Sequence, residues 1–170
     1  MELRQALQAW HDFYMVIAAA SGTLLAAMFV VVSISSGFLS GERARLASFW
    51  MTPTVVNASA IVIGCAVLLT PLLTWELLGA LLGCACLSGL LYAAIIGREI
   101  WRRRIDLDDR VWHGLIPPLG CAIMGAASVL AVLRQETSLS VLAVALLLLL
   151  AAAIRNAWDL IVFFVSRDRG

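Results

Sequence analysis

The residues with the greatest chemical potential lie near the end of the chain, in the run Ile154-Arg-Asn-Ala-Trp-Asp-Leu160. Arg155 and Asp159 are four residues apart, so on a helix they share one face and can form an ion pair. The sequence before them is strongly apolar, and an ionisable side chain at the centre of a bilayer costs about 2.5–3.5 kcal/mol. Because apolar residues would insert more easily, charges in this setting indicate a functional site by default.

Two structural interpretations compete with the functional one. In the first, Arg155 and Asp159 form a structural bridge that only orients the helix, since ion pairs of that kind also occur without function. In the second, the membrane span ends near Ile154 and the rest is a surface helix. Residues 139 to 154 would then cover about 24 Å, slightly less than a hydrocarbon core of about 30 Å. The sequence leaves these alternatives open.

Other polar side chains are predicted to lie at a comparable depth. If the last helix ends at Val165, then at roughly 1.5 Å per residue Asp159 is about 9 Å and Arg155 about 15 Å inside the membrane. Asn57 is expected at a depth similar to Asp159. The predicted polar path or gate in the cytoplasmic half consists of Arg155, Asn156, Asp159, Asn57, Tyr92 and Ser33.

The composition shows which solvent surrounds these residues. The chain has 170 residues, of which 62% are hydrophobic and 14% charged, and its mean hydropathy is +0.97. Soluble domains are about 45–50% apolar and about 25% charged, so a water-soluble monomer is excluded. The length allows a single transmembrane domain, residues 1–170. A net charge of +1 gives no sign of nucleic-acid binding.

Five apolar runs reach the length of about 20 residues that a membrane-spanning helix needs. The sequence therefore predicts an all-α, polytopic transmembrane helical bundle. Pro53 is expected in the first turn of the second helix, where proline is tolerated. Trp10, Trp75 and three further tryptophans stand at segment ends, where such rings prefer the headgroup layer. The predicted spans are residues 13–35, 51–73, 77–97, 111–133 and 139–165.

The arginines predict the orientation, because cytoplasmic loops of membrane proteins are enriched in Lys and Arg. With five spans, one face carries two arginines, Arg4 and Arg134, and the other carries nine. This bias places the N-terminus outside and the C-terminus in the cytoplasm. All basic residues are Arg, which suggests a bacterial coding bias, and the expected location is the bacterial inner membrane.

Small residues recur at four-residue spacing on the third predicted helix, a pattern that lets helix backbones approach closely. Packing within one chain and a seam between copies are both compatible with it, because the pattern does not specify its partner. The predicted helix-packing or oligomer face consists of Gly79, Gly83, Gly89, Ala93 and Gly97.

The loop after this helix is a candidate for contact with lipid headgroups. Trp101 and the basic run Arg102, Arg103 and Arg104 could bind anionic headgroups, although a solvated topological anchor has the same composition. No metal site, cofactor or enzymatic activity is expected. His11 and His113 fall near opposite membrane faces, the cysteines lie in apolar runs, and no catalytic or nucleotide-binding motif occurs.

Both ends of the chain carry a resemblance to other sequences. Asp12-Phe13-Tyr14, Gly22-Thr23-Leu24 and Phe29 to Ser33, together with the closing run Arg155 to Leu160, resemble small polytopic membrane proteins of bacteria. That group has no settled activity, so the resemblance implies a bacterial membrane protein and no catalytic residues.

The sequence therefore favours a small homo-oligomeric ion channel or transport-related protein, surrounded by membrane lipids, with a polar path for an ion or small solute. The alternative is a non-conducting accessory or scaffold subunit that binds another membrane protein through its small-residue helix faces.

Overall fold

Helix is the only regular secondary structure in the residues that the computed structural model describes, 3–35, 42–71, 73–102 and 110–167. A π-helical segment, Arg110–Leu115, leads directly into the fourth α-helix. Pro117 and Pro118 follow this segment and lack the N–H groups that would continue regular α-helical bonding to preceding carbonyls. The five α-helices are α1 Leu3–Ser35, α2 Glu42–Leu68, α3 Trp75–Arg102, α4 Ile116–Val132 and α5 Thr137–Arg167.

The last helix, α5, is the centre of the bundle. Of its most apolar stretch 56% is buried, against 22% for α1 and 11% for α3. It packs against α1, α2 and α4, whereas α3 packs mainly against α4. Leu142, Leu146 and Leu149 of α5 are buried in the main hydrophobic core. Side chains on the buried face of α5 are therefore positioned by several neighbouring helices.

Consecutive helices run in opposite directions. A Cβ at Gly79 would meet Val132 and one at Gly89 would meet Cys121, which sets α3 antiparallel to α4. At the start of α1 and the end of α2, the Arg4 guanidinium donates to the Pro71 carbonyl at 3.0 Å. The ion pair between Glu76 and Arg134 lies at the start of α3 and the end of α4. The start of α1 and the α2–α3 and α4–α5 turns thus mark one end of the bundle.

Local capping explains two of the helix ends. The Leu77 N–H donates to the Thr74 hydroxyl at 3.2 Å, which caps the start of α3. At the end of α4, Arg134 has a positive φ of 56°. The Arg134 N–H donates to the Ala131 carbonyl at 2.8 Å and the Gln135 N–H to the Leu130 carbonyl at 2.9 Å. This is a Schellman motif, in which arginine occupies the position usually held by glycine.

Three sequence expectations differ from the structure. α1 begins at Leu3 rather than near residue 13, because Leu3 and Ala6 are buried and extend its apolar face. Pro53 lies inside α2, not in its first turn, since α2 begins at Glu42; its missing N–H removes one hydrogen bond within the helix. The side chain of Trp75 is only 8% exposed and belongs to the hydrophobic core instead of projecting toward headgroups.

Three helices are long and apolar enough to cross a membrane: Leu3–Val31, Trp75–Arg98 and Thr137–Val162. Large apolar side chains point outward from them, among them Leu87 and Leu91 of α3 with exposed fractions of 64% and 68%. Extended apolar surfaces of this kind are typical of contact with a membrane or a protein partner. The length of the helices and their outer surface suit a membrane protein.

Candidate functional site

The predicted ion pair is present on α5. The Arg155 Nε lies 3.4 Å from the Asp159 Oδ2, and the two side chains are 36% and 29% exposed. α5 continues as one helix from Thr137 to Arg167, so the helix itself does not end near Ile154. Both charges fall within the apolar stretch Thr137–Val162. Four-residue spacing on a continuous helix brings the two groups together, as the sequence predicted.

Between these charges, Asn156 points into the bundle. It is 3% exposed, and its Oδ1 has no hydrogen-bond partner among the described residues. The adjacent Ala157 and Leu160 pack against Met28 of α1 in a small second core. A buried amide oxygen that accepts no hydrogen bond lowers the stability of the fold. A hydrogen-bond donor next to the Asn156 Oδ1 would remove this cost.

Asn57 and Tyr92 lie in a different place. They line a cavity of about 580 Å³ between α2 and α3, whose floor includes Leu149 of α5. Asp159 is ten residues further along α5 than Leu149, about 15 Å at the rise of an α-helix. The structure therefore places Asn57 and Tyr92 in the cavity, and the three α5 residues outside its lining. The reason is that α2 begins at Glu42, so Asn57 lies deep in its helix.

Ser33, the last member of the predicted path, lies on α1 five residues beyond Met28. Its hydroxyl donates to the Phe29 carbonyl at 2.8 Å, within its own helix, and the residue is exposed. That bond satisfies the hydroxyl in an apolar environment and does not by itself direct Ser33 toward the α5 residues.

The structure shows two buried hydroxyls that are not among the site residues predicted from the sequence. Ser21 of α1 is 0% exposed and Thr54 of α2 is 1% exposed, and neither hydroxyl has a hydrogen-bond partner among the described residues. The signal was available on α1, because Tyr14, Ile17, Ser21 and Met28 recur at helical spacing on its buried face. Ser21, Thr54 and Asn156 thus place a buried polar atom without a hydrogen-bond partner among the described residues on each of α1, α2 and α5.

The small-residue face of α3 is largely occupied by α4. Gly79 approaches Val132, Gly83 approaches the Ser128 hydroxyl, and Gly89 approaches Cys121. The Ser128 hydroxyl also donates to the Gly79 carbonyl at 2.7 Å. No atom lies within 4 Å of the Cβ position at Gly97, and Ala93 is half-buried. The closest approaches are therefore contacts within one chain.

The remaining predicted groups lie at the limit of the described residues. Trp101 and Arg102 form the end of α3, with side chains outside the description, and Arg103 and Arg104 lie outside the described residues. Within the described part of the chain, no group of three His, Cys, Asp or Glu side chains could hold a metal ion.

Comparison with known proteins adds no relative to this picture. Neither a family model, nor a curated protein, nor a solved structure matches the chain.

Proposed function

We propose that the protein is a multi-pass protein of the bacterial inner membrane, in which all five helices cross the bilayer. The antiparallel succession of helices supports this count. The shorter apolar parts of α2 and α4, Thr52–Leu68 and Ile116–Val132, lie at the lower limit of about 17–25 residues for a span. The distribution of arginines supports an external N-terminus and a cytoplasmic C-terminus.

Within this topology, we propose that the chain acts as a small oligomeric ion channel or transport-related protein. The observation that carries the proposal is the Arg155–Asp159 pair, which remains about one-third exposed in a single chain. Ionisable residues in transmembrane helices face protein or a water-filled path rather than lipid. A second copy or a wet path along this edge of α5 would supply that environment. Arg155 and Asp159 carry opposite charges, so the pair predicts no selectivity for cations or anions.

Ion flux in liposomes tests the proposal. We expect purified protein to conduct, and we expect Asp159→Asn and Arg155→Ala each to change the flux several-fold. Glu76→Gln is the matched control, because it removes one partner of the exposed Glu76–Arg134 pair at the other end of the bundle. Absence of flux in every ion gradient, or equal flux in all four proteins, would contradict the proposal.

The second candidate is a non-conducting accessory subunit that binds another membrane protein. It is favoured by the helix face around Gly22 of α1, where a Cβ would meet no atom within 4 Å. Small residues with free space are the positions at which a partner helix can approach closely. Co-purification of a stoichiometric partner that Gly22→Leu abolishes, in a protein without flux, would favour this candidate over a channel.

A further inference from the structure

The cavity between α2 and α3 is a long opening in the side of the bundle. α2 and α3 follow each other in the chain, yet each packs mainly against other helices, α2 against α1 and α5 and α3 against α4. On α3 the lining extends from Leu78 to Tyr92, about 21 Å at the rise of an α-helix. The floor is formed by leucines of α5 together with Cys121 and Met124 of α4.

The dimensions suit a hydrocarbon chain. The cavity has a volume of about 580 Å³ and extends over about 21 Å along α3. One leaflet of a bilayer contains about 15 Å of hydrocarbon, which fits within this length.

The chemistry of the lining points to the same class of ligand. No charged side chain is among the described residues that line the cavity, and most of the lining is aliphatic. The two polar side chains that could bind a ligand, Asn57 and Tyr92, lie at the same end, opposite Leu68 and Leu78. The Tyr92 hydroxyl is buried and has no hydrogen-bond partner among the described residues. The third, Ser88, donates its hydroxyl to the Ala85 carbonyl at 3.0 Å.

We propose that this cavity binds one acyl chain of a membrane glycerolipid. The chain enters from the bilayer between α2 and α3 and lies along the leucine floor. Its ester carbonyl accepts hydrogen bonds from the Tyr92 hydroxyl and the Asn57 amide, which satisfies the buried hydroxyl. The charged headgroup stays outside, because the lining offers no group that would compensate a buried charge. This site goes beyond the proposed transport function and does not depend on it.

Photolabelling in a bilayer tests the proposal. The full chain is placed in phosphatidylcholine vesicles that contain a phosphatidylcholine with a diazirine on its palmitoyl chain, and labelled residues are mapped by mass spectrometry. We expect labelling of the cavity residues Ala60 and Ala85 to exceed labelling of the outward residues Leu87 and Leu91 several-fold. Equal labelling of cavity and outward residues would reduce the site to ordinary lipid contact and overturn the proposal.

Variants make the test specific. Ala85→Trp fills the cavity from α3 and is expected to reduce cavity labelling several-fold. Ala80→Trp, on the same helix but outside the lining, is the matched control and is expected to change nothing. Ala60→Phe fills the cavity from α2 and replaces Ala85→Trp if that variant does not fold. Unchanged labelling in the folded cavity variant would contradict the proposal, as would a cross-link from the cavity to a second copy.

A second probe isolates the polar end of the site. Tyr92→Phe is expected to reduce labelling by the diazirine phospholipid, because the ester loses its donor. Labelling of the cavity by a diazirine-bearing alkane, which has no ester, is expected to be equal in both proteins. If Tyr92→Phe changes labelling by the phospholipid and by the alkane to the same extent, Tyr92 does not contact the ester. Labelling and ion flux are separate measurements, so each proposal can fail alone.

Discussion

The hydroxyl of Tyr14 donates a hydrogen bond of 3.2 Å to the carbonyl of Leu139, across 125 residues of the chain. Both residues are 0% exposed. The bond joins the first half of α1 to the first turn of α5, and Met28 packs against Leu160 further along the same two helices. These two contacts show that α1 and α5 run in the same direction. The first and fifth helices of a bundle with alternating directions are expected to be parallel in this way.

Removing this hydroxyl is predicted to loosen α1 from α5. Hydrogen bonds between transmembrane helices contribute about 0.6 kcal/mol on average and up to about 1.7 kcal/mol, so Tyr14→Phe is expected to lower the unfolding free energy by that order. The measurement is unfolding in detergent micelles. Tyr92→Phe is the control, because the Tyr92 hydroxyl has no partner among the described residues. A larger loss in the control than in Tyr14→Phe would contradict the assignment of this bond.

Gly79 is predicted to be the least replaceable glycine on α3. A Cβ there would lie 2.6 Å from Val132 Cγ2, 3.2 Å from the Ser128 carbonyl oxygen and 3.3 Å from the Val132 nitrogen. Because two of these are backbone atoms, α3 and α4 must separate, and Gly79→Ala is expected to destabilise by about 1–3 kcal/mol.

Gly22→Ala provides the matched control for this prediction. Nothing lies within 4 Å of a Cβ at Gly22, so alanine there is expected to stabilise through its higher helix propensity, by about 0.5–1 kcal/mol. Thermal unfolding of the two variants in the same detergent gives the comparison. Equal shifts in Tm would mean that the α3–α4 contact at Gly79 is not a close one.

The C-terminal cap of α4 carries a third prediction. Arg134 adopts a left-handed conformation, which costs a residue with a Cβ roughly 1–2 kcal/mol, whereas glycine adopts it without this cost. Arg134→Gly is therefore expected to raise the unfolding free energy by about 1 kcal/mol, even though it removes the exposed ion pair with Glu76.

Arg134→Ala separates the two contributions of this residue. It removes the ion pair and keeps the backbone strain, so it is expected to be less stable than Arg134→Gly. Glu76→Gln removes the ion pair alone and is expected to change Tm little, because exposed ion pairs contribute little. The same Tm for the glycine and alanine variants would show that the backbone conformation is not strained.

The apolar pattern was sufficient for the helices and for the pair on α5. The run from residue 139 predicted a helix to residue 165, and α5 extends from Thr137 to Arg167. Boundaries were less accurate where a helix has one polar face. At the start of α1, Arg4 is exposed while Leu3 and Ala6 are buried, so no continuous apolar run marks that helical turn. The spacing of Arg155 and Asp159 required no tertiary information, because i and i+4 are neighbours on any helix.

The pairing of helices could not be derived in the same way. The glycines of α3 predicted a close contact, but only the fold shows that α4 supplies it. Likewise, the predicted helix ends place Asn57 at the depth of Asp159. In the structure α2 begins at Glu42, earlier than predicted, and Asn57 lines the α2–α3 cavity together with Tyr92. The cavity arises because α2 and α3 pack on different partners, and local sequence does not encode that choice.

The final prediction concerns the side of the membrane on which each turn lies. In the structure the start of α1, Pro71 and Arg134 are at the same end of the bundle. If all five helices cross, epitopes inserted before Leu3, after Pro71 and after Gln135 are therefore expected outside the cell, where only two arginines lie. Epitopes at residue 106 and after Arg167 are expected in the cytoplasm, on the side with nine arginines. Antibody access in intact and permeabilised cells distinguishes the two groups. An epitope after Pro71 on the same side as the one at residue 106 would mean that α3 does not cross, and with it the alternating topology would fail.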